Sequence, residues 1–241
     1  MSPEVVSELA PTGVLRAGIN LGNFLLVTGR SPSGDPEGVA PDMAREIAAR
    51  LGVPVEYVPF PRPGELADAA ERGVWDIGLI GAEPQRAEKI AFSPAYVEIE
   101  ATYLVPAGSP LQTIADVDRP GVRIAVTARA AYDLWLERNI KHAELVRSAS
   151  LDAAFEQFAA EKLEALAGLR PRLLTDVEKL PGARILDGQF TAVQQAVGTA
   201  RKNAAGAAFL RDFVEEAKAS GLVARLIERH RVRGLTVAAP A

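Results

Sequence analysis

The feature that most constrains this chain is an alternation of short apolar segments and amphipathic stretches that runs through twice, with two extended segments set between the runs. In the first run Val14–Asn20, Val55–Phe60 and Val74–Ile80 are apolar and β-prone, and helical patterns fall between them. Met43, Ile47 and Leu51 share one helical stripe, Asp42 stands where an N-cap belongs, and Gly52 stands where a helix stops. Glu46 and Arg50 are spaced to pair across one turn. A second helix is expected over Glu65–Arg72, stopped by Gly73, and an irregular loop over Gly29–Asp35. The order β-α-β-α-β calls for parallel strands with helical crossovers.

The second run repeats the layout without repeating the letters. Strands are expected at Val122–Val126, Glu144–Arg147, Glu164–Leu169 and Arg184–Leu186, with helices at Tyr132–Ile140, Leu151–Glu161 and around Asp176–Lys179. Val97–Val105 and Phe190–Gly198 are extended links between the runs, and the chain closes in helices at Ala204–Ala219 and Leu222–Arg231. The expected architecture is α/β, two lobes joined by two hinge crossings. Lobe 1 is discontinuous, residues 1–98 and 192–241, and lobe 2 is residues 99–191. The last helices should pack back on lobe 1, and a ligand should lie in the cleft at the carboxyl ends of the strands.

Composition narrows the function. The chain has 241 residues and a formal charge of −4, which offers no basic footprint for nucleic acid or an anionic membrane. It contains no cysteine, so thiol chemistry, disulfides and cysteine-held metal are excluded. No apolar run reaches the roughly 18 residues of a membrane span. Met1-Ser2-Pro3-Glu4 has neither a basic nor an apolar leader region, as expected of a mature or recombinant form. No phosphate loop, metal spacing or nucleophile–base set is present, and no cofactor is expected. His142 and His230 lie in charged stretches near element ends and read as solvated; Trp75 and Trp135 read as packing residues.

Several segments, in order, resemble a known family. These are Gly13-Val14-Leu15-Arg16-Ala17-Gly18, Gly38-Val39-Ala40-Pro41-Asp42-Met43-Ala44, Leu51-Gly52-Val53, Asp76-Ile77, and Arg86 followed by Ile90-Ala91-Phe92-Ser93-Pro94-Ala95-Tyr96. Together they resemble the type II periplasmic solute-binding proteins of ABC transporters, extracellular family 3. The resemblance implies a periplasmic-binding-protein-like type II fold, no enzymatic activity, a periplasmic location, a monomer, a small-molecule ligand and an ABC permease as partner. A lyase of the dehydratase kind or a ligand-sensing domain is the alternative on the same fold.

The resemblance also places ligand contacts. Arg86 stands where the family clamps a carboxylate, a task suited to the guanidinium fork, and is expected to face the cleft and not the core. Gly81 and Glu83 precede it in a turn without the family's hydroxyls. Glu83 is the one acid placed near the cleft, where a lyase would need it. Phe24 is expected as a lid over the ligand. In lobe 2, Thr127, Arg129 and Tyr132 surround a helix start, and Arg170 follows a strand. Arg129 and Arg170 are candidates for an anion site with Arg86. Leu169 occupies the place of the family's ammonium-binding acid, which puts an α-amino acid ligand in doubt and favours a plain carboxylate. Each candidate also has a structural reading: a surface or helix-capping arginine, or a loop aromatic packed on its own lobe.

Overall fold

A computed structural model describes all residues 1–241. In chain order it contains α1 (Pro3–Leu9), β1 (Leu15–Asn20), β2 (Gly29–Arg30), β3 (Pro36–Glu37), α2 (Val39–Leu51), β4 (Val55–Phe60), α3 (Pro63–Asp68), β5 (Ile77–Gly81), α4 (Pro84–Ala87), β6 (Ile90–Phe92) and β7 (Val97–Val105). There follow α5 (Ile114–Val117), β8 (Arg123–Thr127), α6 (Ala131–Asn139), β9 (Glu144–Ser148), α7 (Leu151–Ala160), β10 (Ala165–Leu169), α8 (Arg170–Val177), β11 (Arg184–Ile185) and β12 (Thr191–Ala200). The chain ends with α9 (Ala204–Ala219), α10 (Leu222–Arg229) and β13 (Thr236–Val237). It divides into two compact units, residues 1–98 with 194–241 and residues 99–193.

In unit 1, β1 pairs in parallel with β4 and β5. The returning strand β12 runs antiparallel to β5 and β6. β5 is buried at every position, as its unbroken apolar run requires of a strand covered on both faces. Ile77 and Leu79 join a core with Leu15, Met43, Ile47 and Phe213, whereas Ile80 joins Leu66 and Trp75 in a second cluster. The division follows the two-residue period of a strand. Trp75 keeps its indole N–H satisfied by donating to the Leu66 carbonyl at 3.1 Å. The terminal helices close this unit: the Gly206 N–H at the head of α9 donates to Glu8 Oε2 of α1 at 2.6 Å.

In unit 2, β8 pairs in parallel with β9 and β10, and β7 runs antiparallel to β10 and β11. Its core gathers Leu104, Ala125, Ala154, Phe158, Leu166 and Leu173. Ser150 caps α7 by accepting the Ala153 N–H at 3.1 Å. Trp135 packs on Phe190 with ring centroids 5.4 Å apart, as a packing residue should.

Several local expectations are corrected. Helix α2 begins at Val39, with Gly38 as N-cap, so Asp42 is a first-turn residue rather than the cap. Gly38 has φ +147°, and a Cβ there would stand 2.3 Å from the Leu26 carbonyl oxygen, so glycine alone fits. Asp42, freed from capping, is buried and accepts from Arg45 at 2.6 Å and Arg229 at 3.2 Å, with His230 Nε2 at 2.7 Å. His230 is therefore partnered, not solvated, and ties α10 to α2. Arg50 bypasses Glu46 and grips Glu216 of α9 through both Nη atoms, at 2.9 and 2.8 Å, because packing α9 beside α2 offers a bidentate partner. Within Gly29–Asp35 the first two residues form β2, which pairs with β3. Helices α1 and α5 were not expected from the sequence; both are short, and α5 is set by a Thr113–Asp116 capping box.

Candidate functional site

Parallel strands bring their carboxyl ends to one edge of a sheet, and that edge is where the candidate residues lie in each unit. In unit 1 the ends are Asn20, Phe60 and Gly81. The loop after β1 is set by Asn23, whose Oδ1 accepts the Leu25 and Leu26 N–H groups at 3.1 and 3.2 Å. That turn drives Leu25 and Leu26 into the core and leaves Phe24 out, at 37% exposure.

After β5, Glu83 is the N-cap of α4 and Arg86 lies in its single turn. Arg86 Nη1 donates to the Gly81 carbonyl at 2.8 Å, bridging back to the end of the strand. Arg86 is only 5% exposed. The one-turn helix thus holds the side chain against the strand end instead of leaving it free in solvent. Gly81 therefore serves Arg86 through its carbonyl.

In unit 2 the parallel ends are Thr127, Ser148 and Leu169. The turn after β8 places Arg129 at φ +62°, a left-handed conformation unusual for a side-chain-bearing residue. It is held by Asp133, whose Oδ2 accepts the Arg129 backbone N–H at 2.7 Å. Arg147 in turn grips Asp133 through Nε at 2.9 and 3.1 Å. Burial pushes the Asp133 carboxyl up, and the Arg129 N–H and Arg147 oppose that shift. Sequence reasoning missed Asp133 and Arg147; the signal available was an acid in the first turn of α6, where it can reach back to a preceding N–H. The Arg129 side chain itself is exposed.

Arg170 opens α8, but its charge is engaged within unit 2: Nε donates to Glu100 Oε2 at 2.5 Å, and Nη2 to the Gly188 carbonyl. An anion at Arg170 would have to compete with Glu100. Tyr132 is 3% exposed, and its hydroxyl is buried. Leu169 closes β10, 8% exposed, and is the N-cap residue of α8. No cluster of three or more His, Asp and Glu residues is placed to hold a metal ion. No helix is long and apolar enough to cross a membrane.

Residues 23–232 match the bacterial extracellular solute-binding proteins, family 3. The chain belongs to that family. Solved structures similar to this family 3 protein include a mutant of ArgBP from T. maritima, with a TM-score of 0.74 and 22% identity over 94% of this chain and 99% of that one. An ancestral amino acid-binding protein, described as a precursor of cyclohexadienyl dehydratase, gives a TM-score of 0.74 at 20% identity, covering 93% of this chain and 97% of its own. These likenesses establish the periplasmic-binding-protein-like fold. Among curated proteins, cyclohexadienyl dehydratase of Pseudomonas aeruginosa is 25% identical over 163 residues, 66% of this chain and 60% of that protein. The family 3 chain thus spans less than two thirds of that relative's length.

Proposed function

We propose that this family 3 protein captures a small carboxylate-bearing solute in the periplasm and delivers it to the permease of an ABC transporter, without altering it chemically. Arg86 carries the reading. Its guanidinium is pre-set at the carboxyl edge of a parallel sheet by a hydrogen bond to the Gly81 carbonyl. A fork held in one orientation loses little entropy on meeting a carboxylate. Phe24, exposed at the same edge, supplies an apolar surface for the rest of the solute. Leu169 supplies no charge for an ammonium, which supports a plain carboxylate over an α-amino acid.

The experiment is a thermal-shift screen of carboxylates and amino acids followed by calorimetry. A ligand present at 100 times its Kd raises stability by about 2.7 kcal/mol. Absence of any hit among small acids would remove this reading.

The relationship to cyclohexadienyl dehydratase supports a second reading, a lyase with Glu83 as general acid beside the Arg86 turn. Prephenate and arogenate incubated with stoichiometric protein discriminate the two. Turnover above the buffer rate that disappears in Glu83→Gln would establish the lyase and reject simple capture.

A further inference from the structure

Unit 2 contains a small cavity beneath the ends of β8 and β10 that the solute reading does not use. Its volume is about 10 Å³, and its polar lining is Thr127, Tyr132, Arg172 and Asp176, with Leu166 and Leu173 among the apolar walls. The space is about what one water molecule needs, and a water requires two to four polar partners. Cavities that stay dry are apolar, and this one is not.

The chemistry of the lining is unbalanced in a particular way. Tyr132 Oη is buried, and no protein group completes a well-formed hydrogen bond with it. Burial pushes the phenol up to about 12, with the Thr127 hydroxyl opposing part of the rise, so at neutral pH Oη is a protonated donor. Asp176 is 1% exposed; both its oxygens accept from Arg172 Nε, each at 3.0 Å, and Lys179 Nζ stands 3.7 Å from Oδ1, beyond hydrogen-bond reach. A carboxylate offers about four acceptor positions, so these two bonds do not exhaust it. Arg172 is itself fixed by Asp152, at 2.7 Å from Nη2. A hydroxyl that must donate and a carboxylate that can still accept thus line one water-sized space.

We propose that this cavity is a built single-water site, in which one long-lived water accepts from Tyr132 Oη and donates to Asp176. The water ties the start of α6 to α8. It makes Tyr132 a positioning residue that steadies the Thr127–Tyr132 turn, and with it Arg129, instead of a direct ligand contact. This inference is independent of which solute binds.

Counting long-lived internal waters by oxygen-17 magnetic relaxation dispersion on the full chain tests it. Tyr132→Phe removes the donor without changing the ring, and the variant should hold one long-lived water fewer than the parent. Amide exchange over residues 127–132 should quicken in the same variant. A crystal structure of the parent should show a single density peak within hydrogen-bond distance of both Tyr132 Oη and Asp176. Equal water counts in parent and variant would overturn the proposal. So would a crystal structure in which Tyr132 Oη bonds Thr127 directly with no water between Oη and Asp176.

Discussion

Arg16 and Asp76 meet through three bonds: the Arg16 backbone N–H to Oδ2 at 2.9 Å, Nε to Oδ2 at 3.1 Å, and Nη2 to Oδ1 at 2.8 Å. Arg123 and Glu164 repeat the arrangement in unit 2, at 2.7, 3.0 and 2.8 Å. In each unit an arginine near the start of one parallel strand, β1 or β8, is held by an acid immediately before a neighbouring parallel strand, β5 or β10. In each, the arginine also reaches a nearby backbone carbonyl, Gly73 or Lys162. The two halves share no readable repeat of letters, yet they fasten their sheets at the amino ends by one device, far along the strands from the candidate residues.

The two clamps should differ in value because they differ in exposure. Asp76 is 4% exposed at its side chain, whereas Glu164 is 35% exposed. Arg16→Met leaves a buried carboxylate short of its cation and should cost about 3 kcal/mol, the low end for a broken buried pair because Arg16 itself is partly exposed, lowering Tm by roughly 6–12 °C. Arg123→Met should move Tm by clearly less, since solvent replaces what is lost. Melting curves of the two variants check the order; equal losses would show that exposure is not what decides.

Arg86→Ala should weaken binding of the carboxylate found by the thermal-shift screen by about 2–5 kcal/mol, or roughly 30-fold to several thousand-fold in Kd. Because Arg86 is buried, the same variant should also melt lower without ligand, by about 1–3 kcal/mol for the orphaned Gly81 carbonyl and lost packing. Arg86→Lys separates the effects: it should recover stability more fully than affinity, a point charge being unable to form the fork. Calorimetry with apo melting curves reads both. Recovery of full affinity by lysine would show that bidentate geometry is irrelevant.

Leu169 gives a specificity prediction. The parent should bind a carboxylate at least as well as its α-amino analogue, and Leu169→Asp should shift preference toward the amino acid by about tenfold or more, the effect of roughly 1.4 kcal/mol. Calorimetry on matched pairs measures it. A parent that already prefers the amino acid would place the ammonium contact elsewhere.

Acid should act on unit 2 through Asp118. Burial raises its carboxyl, but the Ala143, His142 and Lys141 backbone N–H groups outweigh that and hold it below the ordinary range. A carboxylate with a depressed folded value contributes stability above its unfolded value, about 4, and that contribution is lost as pH falls through the lower folded value. The Tm gap between parent and Asp118→Asn should therefore be widest near pH 7 and narrow below about pH 4. A gap independent of pH would mean that the carboxylate's charge is not what the N–H groups recognise.

Much of the fold was legible because it rests on periodicity. β4 and β7 begin and end where the apolar runs do, and α9 spans Ala204–Ala219 as its pattern requires. What could not be read were partners set by packing between distant segments. Asp42 looks like an N-cap until α10 brings Arg229 and His230 to it, and Arg50 looks committed to Glu46 until α9 presents Glu216. The candidate site divides in the same way. Positions after strand ends follow from strand order, so Gly81, Arg86, Thr127 and Arg129 fall at sheet edges. Side-chain direction does not follow from order: Tyr132 buries its hydroxyl, and Arg170 turns to Glu100 and Gly188, partners that no local spacing announces.

The C-terminal strand β13 pairs with Val97 and Glu98, the last residues of unit 1 before the chain enters unit 2, and the Ala238 N–H donates to the Tyr96 carbonyl at 3.1 Å. Together with the contact between α1 and α9, this makes the beginning of the chain wait for its end. Residues 99–193 are contiguous and make unit 2 without borrowing from either flank, whereas residues 1–98 are incomplete without β12, α9 and α10. Severing the chain after residue 193 would therefore leave the middle whole and rob β5 of its antiparallel neighbour.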